Sequence, residues 1–466
     1  MLRCLAVGLV LLGAASVFAA ETHVYATTSA QGFREVLNAD WSPLRGPGSQ
    51  VVDVDAARRM QAYRGIGGSF AEASCFTLMR LPEAKRAAAF EMLFGKTGLG
   101  LSVGRVHCGS SDYSLHFYSY DDVAGDTALE HFSIDDDRKW VIPAIREAKK
   151  VNPDLFLFSS PWSAPGWMTE NGMFSGARLR PDLFGVYAEY VVRFLKAYAA
   201  EGLPLGAHTV QNEGVLLQMD ENSPTMVVPA ADEARLALEL RKRFDRDGLK
   251  TKIWLFDHNY SDARRLDEIL AVKGVPEAVD GIAWHSYSGE PETVRCYVER
   301  YPKFEQIHTE MGPHIDRSKR NFLWWGDLIL RGFNAGQSGF TNWCLALDEN
   351  GHPNTSCGHP CAGLIAVHSQ TGEIEPSDQF AAFRHISPFV KRGAKVLDAP
   401  IRNDIPGGGA AKRLEKTVVS SFENPDGTFV VVINHPGETG AQVMVRHAGR
   451  YLPVVVLAKS LTTVTF

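Results

Sequence analysis

Between about residue 60 and residue 350 the sequence alternates short apolar runs with longer segments of helical spacing, and this alternation limits the possible folds more than any other feature. Eight such runs follow one another: "AYRGIGGSF" (62–70), "LSVGRVHCG" (101–109), "LFLFSSPW" (155–162), "GAHTVQNEG" (206–214), "KIWLFDHN" (252–259), "GIAWHSY" (281–287), "QIHTEMG" (306–312) and "SGFTNWCLAL" (338–347). Runs this apolar on both faces belong in a parallel sheet covered by helices. The intervening segments suit the covering role. In "LFGVYAEYVVRFLKAYAAEG" (183–202), Tyr187, Tyr190, Val191, Phe194, Leu195 and Tyr198 recur at helical spacing, and Gly202 is a stop signal. Eight strand–helix repeats predict an α/β fold closed as a (β/α)8 TIM barrel. A dinucleotide fold loses ground, since no G-x-G-x-x-G opens a helix with an acidic residue at the ribose distance.

The flanks read differently. After "RHISPFVKRGAKVLD" (384–398) come short β-rich runs separated by Gly, Pro and Asn turns, with "NPDG" (424–427) as a hairpin signal. This tail predicts a β-sandwich. Residues 21–60 are too few to fold alone, and "QVVDVDAA" (50–57) suits added strands, so the sandwich is expected to be built from both termini. The expected boundaries are 1–20 for a cleaved signal peptide, 21–60 for the N-terminal sandwich strands, 61–395 for the barrel and 396–466 for the C-terminal sandwich. The signal reading rests on Arg3, an apolar stretch through Leu12 and small residues at 19–20. It predicts a secreted, periplasmic or extracellular protein without stable membrane insertion. A net charge of −6 with evenly spread Lys and Arg offers no stripe for nucleic acid. In an oxidising compartment Cys357 and Cys361 of "CGHPC" are expected to be disulfide-bonded or free, with no metal, because a zinc site needs four well-spaced ligands and no second Cys/His cluster occurs.

Polar and aromatic residues gather at the predicted C-terminal strand ends, the active face of such barrels: Glu72, Asp112, Trp162, Glu213, Asp257, His258, His285, Tyr287, Glu310 and Trp343. Glu213 and Glu310 follow the fourth and seventh runs, which lie on opposite sides of an eight-stranded ring. Two carboxylates facing each other across a cleft are what glycosidic bond cleavage needs, one as acid and one as nucleophile or base. An isolated "NEG" would pass for a solvated loop; the pair, at these two positions, reads as chemistry. Asn212 can hydrogen-bond a sugar 2-hydroxyl. Trp162, Trp167, Tyr287, Trp324, Trp325 and Trp343 can offer flat apolar faces to a pyranose, while Trp254 and Trp140 sit in core patterns.

"GIGGSFAEA" (65–73), "GRVHCGSSDYS" (104–114), "SSPWSAPGWMTENG" (159–172), "VQNEG" (210–214), "GIAWHSY" (281–287), "HTEMG" (308–312) and "GFTNWCLALDENGHPN" (339–354) resemble, in order, glycoside hydrolase family 30, the family of glucosylceramidases and endo-β-1,6-glucanases. The resemblance covers nearly the whole mature chain. It implies a retaining β-glycosidase with no metal or organic cofactor, Glu213 as acid/base and Glu310 as nucleophile. It further implies sugar contacts from Glu72, Trp162, Asn212, His285, Tyr287 and Trp343, with Arg105 and Asp112 in supporting positions. An acid needs its proton, so Glu213 is expected to have its pKa raised by Glu310. Gly214 replaces the proline usual after the acid/base, and the loops 216–233 and 355–361 depart from the family pattern, which bears on substrate choice. The expected substrate is a carbohydrate or glycolipid of the β-1,6-glucan or glucosylceramide type. A β-xylosidase or other β-glycosidase of the family, and a non-catalytic carbohydrate-binding protein, are the alternatives.

Overall fold

A computed structural model describes residues 21–36, 40–44, 50–215, 223–312, 315, 321–353, 361–403, 414 and 416–466. The expected signal segment and Cys357 lie outside the described residues. Eight parallel strands make one sheet: Gly65–Ser69, Val103–Cys108, Phe156–Pro161, Ala207–Thr209, Lys252–Asn259, Gly281–His285, Glu305–Glu310 and Gly339–Asn342. They are numbered here first to eighth in chain order. Each of the eight apolar runs supplies one of them. The first pairs with the eighth, and the seventh meets the eighth through Ser338 N donating to Gln306 O (2.7 Å) and Trp343 N to Met311 O (3.0 Å), which closes the ring. The sheet is the (β/α)8 barrel that the alternation predicts.

The lumen is filled rather than open. Val103, Phe158, Ala207, Trp254, Ala283 and Ile307 meet inside it, two large rings beside two alanines, with the Phe158 and Trp254 ring centres 5.3 Å apart. Trp254 leaves no room on the adjoining strand. A Cβ on Gly281 would lie 2.9 Å from Trp254 Cδ1 and 2.4 Å from Glu305 O, so only glycine fits there. Outside the ring, the helix Phe184–Ala200 buries Tyr187, Tyr190, Val191, Phe194, Leu195 and Tyr198, the residues whose spacing predicts it, and the chain turns at Gly202 with φ +78°.

Two further sheets form the sandwich. The larger runs Gln31–Val36, His23–Thr28, Ser460–Thr465, Phe429–His435, Val418–Glu423, Lys395–Leu397, Arg59–Ala62; the smaller runs Ile401–Asn403, Gln50–Asp53, Ala441–His447, Arg450–Val456. Both sheets thus combine strands from the two ends of the chain. Their shared core is rich in valine: Val52, Val431, Val443, Val445, Val454 and Val464, with Ile433 and Leu452. The sandwich is bonded to the barrel helix Phe322–Ala335 through Asn334 Nδ2 to Val419 O (2.8 Å), Ser420 Oγ to Leu330 O (3.1 Å) and Asn434 Nδ2 to Leu323 O (3.1 Å). Buried His385 joins both chain ends, with its ring nitrogens 2.8 Å from Thr27 Oγ1 and 2.9 Å from Thr463 Oγ1. The ring therefore rests on a braced platform.

Candidate active site

Arg105 on the second strand is fully buried and organises the mouth of the barrel. Its fork of donors reaches four strands: Nη1 bonds Glu310 Oε2, Nη2 donates to Asn212 Oδ1 (2.8 Å) and Asp257 Oδ2 (2.9 Å), and Nε donates to Ser160 Oγ (3.1 Å). The guanidinium also lies over the Trp162 ring, 4.7 Å from its centre. Only arginine presents so many donors in one plane, which is why a cation can be buried here at all.

Asp257 is the counter-ion. The fifth strand is irregular at this point: Phe256 and Asp257 take φ of +79° and +46°, and the register with the sixth strand shifts between Phe256 and His258. Such conformations are costly and persist where the surroundings impose them. The carboxylate accepts from Ser160 Oγ (2.8 Å), Thr209 Oγ1 (2.7 Å) and Thr309 Oγ1 (2.6 Å) as well as Arg105, and lies 3.0 Å from His285 Nε2. Burial would raise its pKa, but Arg105 and His285 outweigh burial and hold it well below the carboxylate range.

Glu310 ends the seventh strand, buried, with Oε2 on Arg105 and Oε1 accepting from Tyr287 Oη (2.8 Å). Glu213 stands in the turn after the fourth strand with φ +47°, held by its own N–H to Asp257 O (3.1 Å). His285 stands between them. Its Nδ1 is 3.1 Å from Glu213 Oε1, and its Nε2 is 3.8 Å from Glu310 Oε2. The electrostatics differ from the sequence expectation. Burial alone would raise Glu213, but hydrogen bonding to His258 and His285 holds it down at about 2. Burial alone would lower His285, yet Glu310, Asp257 and Glu213 push it up to about 10. Glu213 is lowered rather than raised because the groups bonded to it are the imidazoles of His258 and His285.

The remaining expected residues surround this centre. Asp112 is pushed up to about 8, first by burial and then by repulsion from Glu310 and Glu213. Glu72 opens the helix Glu72–Met79 and accepts from Leu115 N (2.9 Å), and burial raises its carboxyl. Trp162 and Trp343 sit 5.3 Å apart, ring centre to ring centre, with His107 against both, and Tyr287 is more open to solvent. Other aromatics lie elsewhere. Trp325 is fully buried on the helix that carries the sandwich, edge-on to Phe340 and Trp324, so it offers no face to a sugar, while half-buried Trp324 packs beside it on the same core. Trp167 is half-buried, with Nε1 bonded to Asp121 O (2.9 Å). Sequence reading placed Asp257 and His258 at a strand end without a part in the site, and passed over Ser160, Thr209 and Thr309. The strand-end position was the only available signal.

The comparisons agree with this geometry. The model for the glycosyl hydrolase family 30 TIM-barrel domain matches residues 63–390. An endo-1,6-β-D-glucanase of Neurospora crassa is 29% identical, over 90% of this chain and 89% of that protein. The lysosomal acid glucosylceramidase of Mus musculus is 33% identical, over 82% of this chain and 76% of that protein. A solved endo-β1,6-glucanase superposes with a TM-score of 0.85 at 25% identity, covering 95% of this chain and 98% of the other. With the barrel, the ordered motifs and the family model in agreement, the chain belongs to glycosyl hydrolase family 30 and is a glycoside hydrolase.

Proposed function

We propose that this hydrolase is an exported retaining β-glycosidase acting on β-glucosidic bonds of the β-1,6-glucan or glucosylceramide type, with Glu310 as nucleophile and Glu213 as acid/base. One observation carries the assignment: Glu310 is fixed in place by Arg105 and Tyr287, whereas Glu213 faces the ring nitrogen of His285 at 3.1 Å. A nucleophile has to be ionised and fixed; an acid has to hold a proton and give it up. The substrate class follows the names of the relatives, glucosylceramidases and endo-1,6-β-glucanases. Export rests on residues 1–20. Among the described residues no helix is long and apolar enough to cross a membrane.

In the first step Glu310 attacks the anomeric carbon, and the glycosidic oxygen leaves with a proton from Glu213. That proton crosses the 3.1 Å from His285 Nδ1 as negative charge develops on the leaving oxygen. In the second step Glu213 takes a proton from water, the oxygen of which displaces Glu310, and the proton returns to the pair. Asn212, oriented by Arg105, reaches the sugar 2-hydroxyl, where a bond strengthens in the oxocarbenium-like transition state. The test is stereochemical. Proton NMR of the first product from an aryl β-glucoside should show the β-anomer. Glu213→Ala should accept dinitrophenyl glucosides and, with azide, release a β-glucosyl azide. An α-anomer from the intact enzyme would refute the retaining mechanism, and azide rescue of Glu310→Ala in place of Glu213→Ala would reverse the two roles. Product sizes from β-1,6-glucan and glucosylceramide then decide the substrate.

A further inference from the structure

Three nitrogen and oxygen atoms of ligand type meet at Glu213. His285 Nδ1 and His258 Nδ1 lie 3.1 and 3.5 Å from Glu213 Oε1, and one ligand atom from each residue lies within 4.8 Å of the other two. We propose that Glu213, His258 and His285 bind one divalent transition ion of the zinc class, and that occupation shuts the enzyme off by withdrawing Glu213 from catalysis. The shut-off rests on the acid/base role proposed above; the binding site does not.

Spacing is the first argument. A tetrahedral zinc with bonds of roughly 2.0–2.1 Å sets its ligand atoms about 3.4 Å apart, so two edges of the triangle are already near their bound length. The second argument is orientation. His285 Nε2 faces Asp257 Oδ1 at 3.0 Å, and His258 Nε2 faces Asp262 Oδ2 at 2.8 Å. Each carboxylate holds a proton on Nε2, so that once the proton shared with Glu213 has left, the Nδ1 lone pairs face Glu213. Metal-binding histidines are held in this way, with a carboxylate behind each ring. His258 adds a weakly met need, for its Nδ1 is buried and its contact with Glu213 Oε1, at 3.5 Å, is long for a hydrogen bond. Charge is the third argument. Glu213, Glu310, Asp257 and Asp262 surround the point, against Arg105 as the fixed cation. Two imidazoles and one carboxylate select zinc, copper or nickel over magnesium or calcium. Glu213 is 16% exposed at its side chain, so a fourth position faces the cleft, open to water. On binding, the proton shared by His285 and Glu213 passes to solvent and the three lone pairs turn to the metal; nothing is oxidised or reduced.

The test uses the full chain stripped with EDTA and titrated with Co²⁺, which reports its coordination by visible absorption. One ion per chain is expected, with the bands of a four- or five-coordinate site, displaced by an equivalent of Zn²⁺. Hydrolysis of an aryl β-glucoside should fall in step with occupancy and return with EDTA. His258→Ala should weaken Co²⁺ binding by about 100-fold or more, and Asp262→Asn, at a half-exposed position, by about 10–100-fold. Failure of the stripped, folded chain to take up Co²⁺, or binding by both variants as tight as the parent's, would overturn the site. Binding that weakens in the variants but leaves hydrolysis untouched would overturn the shut-off and count against Glu213 as the acid/base.

Discussion

The mouth of the barrel and the core of the sandwich are both buried, and they are built from opposite materials. Around the mouth Arg105, Asp257, His285 and Glu310 are almost wholly removed from solvent, and Glu213 and Asp257 both hold positive φ. In the sandwich, Val52, Val431, Val443, Val445 and Val464 interdigitate with Leu452 and Ile433. Replacing a buried ion pair by apolar residues of similar volume is often neutral or stabilising, so the charges at the mouth are poorly explained by stability alone. They fit the reaction proposed above, in which one carboxylate attacks and another hands on a proton. The sandwich has only to stay packed. The contrast teaches that a substitution in one region should show in rate, and in the other in unfolding.

The largest test of that contrast is Glu310→Ala. Turnover on every substrate should fall by roughly 10⁴-fold or more, as when a nucleophile is removed. Urea unfolding should move little, since Arg105 keeps Asp257, Asn212 and Ser160. Equal losses of rate and stability would erase the distinction. Asp257→Asn should break it from the other side: Arg105 and His285 lose their shared counter-charge, at a cost of about 3–5 kcal/mol in urea unfolding, and kcat falls as well. Leu452→Ala should cost about 2–5 kcal/mol of stability and leave kcat unchanged wherever the variant is folded.

The smallest effect appears only as a dependence on pH. Asp137 is a buried carboxylate that makes no ion pair among the described residues and is bonded by the hydroxyls of Tyr118 (2.7 Å), Tyr120 (2.7 Å) and Tyr198 (2.5 Å). Burial outweighs these neutral donors and pushes it up to about 6, where Asp257, with Arg105, is held low. A raised carboxyl means that the folded state binds its proton more tightly than the unfolded chain does. Its contribution is therefore fully present below the ordinary aspartate pKa of about 3.9 and lost as pH rises through about 6. At about 1.4 kcal/mol per unit the loss is at most about 3 kcal/mol. Asp137→Asn should flatten urea stability between pH 4 and 6, and an unchanged slope would show that the tyrosines offset the burial in full.

Much of this was legible before any contact was known. The apolar runs mark all eight barrel strands, Gly202 marks the end of a helix, and "NEG" and "TEMG" place the two glutamates at the correct strand ends. These signals are local, since period and turn chemistry act over a few residues. Trp325 shows the limit: its sequence neighbours suit either a cleft or a core, and only the packing of its helix on the barrel, edge-on to Phe340 of the eighth strand, buries it. Asp257 and His258 show the same limit from the functional side. A strand end could be assigned to them, but not their partners, because Arg105, Thr209, His285 and Glu310 come from different strands and meet only when the ring closes. The balance of charge between Glu213 and His285 is decided there too. It depends on which charges stand within about 4 Å of each carboxylate, and distances across a barrel mouth are properties of the closed sheet.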